Sequence, residues 1–142
     1  GEGGGEGTTI NVPLRAGAGP QAARAAWEGV VGPALERFRP ELLFVSAGFD
    51  AHWRDPLAGF QFQSSTFHFL SSELKALADR VCQGRLVFVL EGGYDPDALG
   101  DSVAESVRAL AGLPSEAQWD TPHLYEEPEE RVRQAVLEAR RI

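Results

Sequence analysis

The chain has 142 residues, 43% of them hydrophobic and 24% charged, which fits one globular domain able to bury a real core. A net charge of −8 argues against a surface that wraps nucleic acid, since such surfaces need clustered Lys and Arg. No apolar run approaches the roughly 20 residues of a membrane helix. The single cysteine, Cys82, excludes an intramolecular disulfide and fits a reducing compartment.

Gly1 to Gly7 is a low-complexity glycine and glutamate stretch that reads as a flexible lead. It has no basic segment of the signal-peptide kind, and with no Met in the chain we expect the gene product to begin further upstream. Thr8 to Leu14 carries a β-branched run and predicts a short strand. A helix is expected from Pro20 to Phe38, with Trp27, Val30, Val31, Ala34, Leu35 and Phe38 on its apolar stripe and Pro33 kinking or interrupting it.

Leu42 to Val45 is wholly apolar, as a strand buried on both faces of a parallel sheet requires. Phe49 to Gln63 reads as a long loop. Ser65 or Thr66 is expected to cap the next helix, which presents Phe67, Leu70, Leu74, Leu77 and Val81 and is closed by Gly84; Cys82 is expected to be buried in it. Leu86 to Leu90 repeats the buried-strand pattern. Pro96 opens another helix, with Leu99, Val103, Val107 and Leu110 on one face. Gly112 to Pro128 is an irregular tail, and Glu129 to Ile142 is an amphipathic helix with Val132, Val136 and Ala139 packed down. The expected architecture is α/β, a parallel sheet with flanking helices: a lead at 1–7, a βαβαβα core at 8–112, and a tail with a terminal helix at 113–142. Three strands leave open sheet edges, so protein absent from this chain is expected to cover at least one.

In open α/β sheets ligands bind beyond the carboxyl ends of the strands. Two loops leave that edge, Ser46-Ala47-Gly48-Phe49-Asp50-Ala51-His52 and Glu91-Gly92-Gly93-Tyr94. Both contain glycine where the backbone turns; one delivers a carboxylate and the other a phenol. Either loop alone is compatible with a simple turn, and Asp50 alone with a loop Asp capping the backbone.

Together the stretches Val45 to His52, Asp55-Pro56-Leu57 and Leu90 to Tyr94, with Asn11-Val12-Pro13-Leu14 before them, resemble the C-terminal half of the zinc-dependent histone deacetylase and acetylpolyamine deacetylase superfamily. The tail with Leu124-Tyr125 and Glu127-Pro128 looks most similar to plant and algal class II-like members. The resemblance implies part of an arginase/deacetylase-type fold. It implies Asp50 as a zinc ligand and Tyr94 as the catalytic tyrosine, whose hydroxyl holds the substrate carbonyl while metal-activated water attacks. It implies Gly92 and Gly93 beside the substrate channel, and Phe49 and Leu57 as pocket-wall candidates, each equally suited to core packing. His52 has no ligand role in that pattern, and His68 and His123 carry none either.

The resemblance further implies that the other zinc ligands, an Asp and a His close in sequence, and a His-His pair lie upstream, because this chain has no Asp-x-His other than Asp50-Ala51-His52 and no His-His. The isolated chain is therefore expected to be silent. The complete enzyme would remove acetyl groups from acetyl-lysine or a small acetylated amine, in a chloroplast or mitochondrion, or else in cytoplasm or nucleus. The expected partner is the missing N-terminal half or a partner chain. A non-catalytic remnant serving an assembly is the alternative. A third reading is a nucleotide-binding α/β domain, against which Gly3, Gly5 and Gly7 precede the expected strand rather than follow one, the wrong context for a dinucleotide fingerprint.

Overall fold

The computed structural model describes residues 2–117 and 126–139. Its sheet has two parallel strands, β1 (Leu43–Ala47) and β2 (Leu86–Leu90), paired from Leu43↔Leu86 through Ala47↔Leu90. The helix α3 (Ser64–Cys82) makes the crossover between them. Before the sheet come α1 (Pro20–Ala26), a π-helical turn (Trp27–Val31) and α2 (Gly32–Phe38). After it come α4 (Pro96–Leu110) and α5 (Glu129–Ala139). No helix among the described residues is long and apolar enough to cross a membrane.

Helical geometry runs through Pro33 instead of breaking there. In the wide turn the Gly32 N–H reaches back five residues to the Trp27 carbonyl. That turn accommodates the proline ring, which in a regular helix collides with the carbonyl four residues earlier. Trp27 anchors the bend, its ring in a core of Leu43, Leu77, Ala78 and Cys82 and its Nε1–H donating to Glu73 Oε2 at 2.8 Å. Arg39, in the left-handed region at φ 51, and Pro40 then end α2.

The strand expected at Thr8–Leu14 does not form. Among the described residues no strand pairs with this segment, and the Leu14 N–H turns back to the Val12 carbonyl at 2.9 Å. Val12 and Leu14 are spent on helix packing: Leu14 lies against Ala18, Ala22 and Val132, and Val12 against Val30 and Val136. Tertiary packing here overrides a β-branched preference. The core is thus a two-stranded sheet with helices, not a three-stranded one, and Gly3–Gly5 adds only a 3₁₀ turn.

The helix α3 starts earlier than expected, its cap being Gln63 and not Ser65 or Thr66. The Gln63 side chain takes the Thr66 N–H while the Thr66 hydroxyl accepts from the Gln63 N–H at 3.1 Å. At its end Gln83 and Gly84 both take the left-handed turn, and Cys82 is buried as expected. The buried stripe of α4 is Ala98, Ser102, Ser106 and Ala109, with Glu105, whereas Val107 faces solvent. Small side chains let α4 lie against α3, where Ser64 and Ser102 hydroxyls meet at 3.4 Å. Leu99 and Val103 pack sideways against the Phe49–Phe62–Phe67 cluster instead.

The helix α5 buries Val132, Ala135, Val136 and Ala139. The Glu127 carboxylate just before it accepts from the Gly19, Gln21 and Ala22 N–H groups, each at 2.9 Å, and so caps α1. His123, Leu124-Tyr125 and the end of the terminal helix expected at 140–142 lie outside the described residues. One sheet face packs on α3 through Leu43 and Leu86. Phe44, Val87 and Val89 alternate to the other face and are exposed.

Candidate active site

Pairing between the two strands continues past their ends. The Glu91 N–H donates to the Ala47 carbonyl at 3.0 Å, and the Phe49 N–H to the Gly92 carbonyl at 2.8 Å. The loop that follows β1 and the loop that follows β2 therefore leave the sheet side by side, at the edge where α/β proteins bind ligands.

Asp50 is partly buried between these loops. A Cβ built on Gly92 would lie 3.2 Å from the Asp50 carboxyl carbon, and one on Gly48 would lie 3.1 Å from Oδ1. The two glycines thus leave the space the carboxylate fills. Among the described residues the Asp50 carboxylate has no hydrogen-bond or ion-pair partner. It caps no turn, so the simple-turn explanation for this aspartate does not describe it.

Turn-capping falls to Asp55, 9% exposed, which enters the sequence reading only within the Asp55-Pro56-Leu57 stretch of the resemblance. Its Oδ1 accepts from the Leu57 N–H at 3.0 Å and its Oδ2 from the Tyr94 N–H at 2.6 Å. The neighbouring Arg54 reaches Asp95 Oδ1 at 3.4 Å and Asp97 Oδ2 at 3.3 Å at the start of α4. Arg54 and Asp55 together tie the first loop to the second.

Tyr94 is 58% exposed and Leu57 64%, both on the open side of these ties. Among the described residues nothing hydrogen-bonds the Tyr94 hydroxyl. Phe49 is only 5% exposed, its ring centroid 5.0 Å from that of Phe67; of its two expected roles, core packing is the one the structure displays. The glycines also divide. Gly92 gives way to Asp50, but a Cβ on Gly93 would strike Leu99 Cδ1 at 2.8 Å and Phe49 Cβ at 3.2 Å. Core packing and its φ of 134 both require glycine at position 93.

His52 is 2% exposed and belongs to the core. Its Nδ1 accepts from the Arg54 N–H at 3.2 Å, which leaves Nε2–H to donate to Ser64 Oγ at 3.3 Å, and its ring stacks on Phe67. His68 bonds the Leu113 carbonyl at 2.9 Å. Among the described residues no three His, Cys, Asp or Glu side chains converge to hold a metal ion. Asp50 supplies one free donor of a kind zinc accepts, where catalytic zinc takes three protein ligands.

Fold and loops together define a parallel α/β domain with a carboxylate and a phenol on the two loops that leave the carboxyl ends of its strands. The histone deacetylase domain model matches residues 1–110. Over 144 aligned positions the chain is 48% identical to histone deacetylase 10, chloroplastic, of Oryza sativa subsp. japonica, covering 100% of this chain and 32% of that protein. It is 49% identical to histone deacetylase 14, chloroplastic, of Arabidopsis thaliana, covering 100% of this chain and 34% of that protein. The fold is similar to the crystal structure of the HDA15 HD domain, with a TM-score of 0.82 at 30% identity over 100% of this chain and 36% of that one. The chain belongs to the histone deacetylase domain family. It spans about a third of the length of these curated relatives.

Proposed function

We propose that this chain is the C-terminal part of a zinc-dependent amidohydrolase that removes acetyl groups from acetyl-lysine or a small acetylated amine. The observation that carries the reading is the Asp50 carboxylate, partly buried, without a partner among the described residues, and packed against Gly92 two residues before Tyr94. A carboxylate kept from every internal bond at a strand-end edge is suited to an external cation. Bound zinc would supply a positive centre that polarises the acetamide carbonyl and lowers the pKa of water.

The residues of this chain then have distinct tasks. Asp50 contributes one negative donor to the metal. The Tyr94 hydroxyl would donate to the carbonyl oxygen of the substrate, where negative charge grows as water adds and is given up when the carbonyl re-forms and the C–N bond breaks. Leu57 offers an apolar rim beside it. The described residues lack the remaining ligands and a general base, so the isolated chain is inactive. The exposed face of Phe44, Val87 and Val89 supports the same reading, being the surface that the rest of the domain would cover. The two plant relatives carry chloroplastic in their names, and we place this protein in a chloroplast on that likeness.

The test is acetate release by the full-length protein from an acetyl-lysine peptide and from an acetylated polyamine, with zinc present and after chelation. Release with one substrate, lost on chelation and restored by zinc, is expected. The 142-residue chain alone should release none until the rest of the protein is added. A zinc-loaded full-length protein that cleaves neither substrate would overturn the reading.

A further inference from the structure

We propose that Asp55 is a positioning residue for Tyr94, a reading that rests on the catalytic role given above to Tyr94. Its single carboxylate holds two backbone N–H groups from different loops, Leu57 at 3.0 Å and Tyr94 at 2.6 Å. The second is the only hydrogen bond among the described residues that fixes the Tyr94 backbone from the opposite loop. The side chain of Tyr94 is mostly exposed, so packing does little to aim it. What aims it is the backbone on either side. Gly93 precedes it in a conformation wedged against Leu99 and Phe49. Asp95 follows it, caps α4 through the Ala98 N–H at 2.8 Å, and meets Arg54.

Asp55 closes this frame at Tyr94 itself. Because it also sits five residues beyond Asp50 on the same loop, it couples the placement of the phenol to the loop that carries the carboxylate. Asn is nearly isosteric but can accept from only one of the two N–H groups, since its amide nitrogen is a donor. Asp55→Asn therefore loosens one tie without leaving a cavity. A catalytic group displaced by about 1 Å loses up to roughly 100-fold in rate.

The experiment is a double-mutant cycle on the full-length protein, comparing Asp55→Asn, Tyr94→Phe and the double variant by kcat, KM and zinc content, with amide exchange at Tyr94 followed by mass spectrometry. We expect Asp55→Asn to lower kcat about 10- to 100-fold, with KM and zinc content little changed and faster exchange at the Tyr94 amide. On the Tyr94→Phe background the same substitution should cost less than about twofold, because the hydroxyl it aims is already gone. Equal losses on both backgrounds would mark Asp55 as merely structural and overturn the proposal, as would an unchanged rate in Asp55→Asn. An unchanged rate in Tyr94→Phe would instead remove the catalytic role of Tyr94, and the positioning role of Asp55 with it. Should the unmodified protein cleave nothing, the amide exchange decides whether Asp55 holds Tyr94: unchanged exchange in Asp55→Asn refutes the tie.

Discussion

Substituting Gly93 and Gly100 with alanine, seven residues apart in one chain, should move stability in opposite directions. At Gly93 the backbone has φ 134, where an L side chain is strained by about 1–3 kcal/mol. The new methyl would also fall 2.8 Å from Leu99 Cδ1 and 3.2 Å from Phe49 Cβ. Leu99 can rotate, but the Phe49 Cβ is held by a backbone bonded to Gly92 and a ring packed on Phe67, so overpacking adds about 1–3 kcal/mol. The sum is a destabilisation of about 2–6 kcal/mol, a large share of the roughly 5–15 kcal/mol that holds a domain together. Gly100 lies inside α4 in ordinary helical geometry, and a Cβ added there would meet nothing within 4 Å. Alanine at that position removes backbone freedom from the unfolded chain and stabilises by up to about 1 kcal/mol. Urea unfolding followed by far-ultraviolet circular dichroism measures both. A Gly93→Ala variant within about 0.5 kcal/mol of the parent, the range of inert surface changes, would refute the wedge described for this loop.

Glu127→Gln should cost about 1–2 kcal/mol, since the amide can no longer accept all three N–H groups at the start of α1; unchanged thermal unfolding would contradict the cap. His52→Ala should destabilise by about 2–4 kcal/mol through lost packing and the loss of the Nδ1 acceptor of the Arg54 N–H. Zinc content of the folded full-length His52→Ala protein should stay at the parent level, and loss of zinc with the fold intact would make His52 more than a core residue. Asp50→Ala should shift unfolding by less than about 0.5 kcal/mol, because the carboxylate has no partner among the described residues to lose; a large loss of stability would mean Asp50 is structural.

Much of this organisation is legible in the sequence. The apolar runs at Leu42–Val45 and Leu86–Leu90, each ended by a glycine-bearing loop, announce two parallel strands, though Phe44, Val87 and Val89 on one face are exposed where burial on both was expected, and Asp50 and Tyr94 stand in the loops that follow. What escapes a linear reading is long-range. Thr8–Leu14 has strand chemistry but finds helices, not a strand edge, as its neighbours. The α4 face cannot be chosen from its valines and leucines, because α3 selects the narrow serine and alanine stripe that permits close approach. Asp55 enters the sequence reading only within the Asp55-Pro56-Leu57 stretch, and nothing local reveals that its second oxygen is taken by an N–H 39 residues away. Nor does the sequence show that Leu99 and Phe49 crowd Gly93.

The assignment of Asp50 as a metal-binding carboxylate is tested most directly by zinc content. The full-length protein and its Asp50→Ala variant would be stripped, reloaded and measured by mass spectrometry of the metal, alongside acetate release. We predict about one zinc per chain in the parent, and in the folded variant loss of most of that zinc together with the activity. A folded Asp50→Ala protein that holds zinc as tightly and releases acetate as fast as the parent would contradict it.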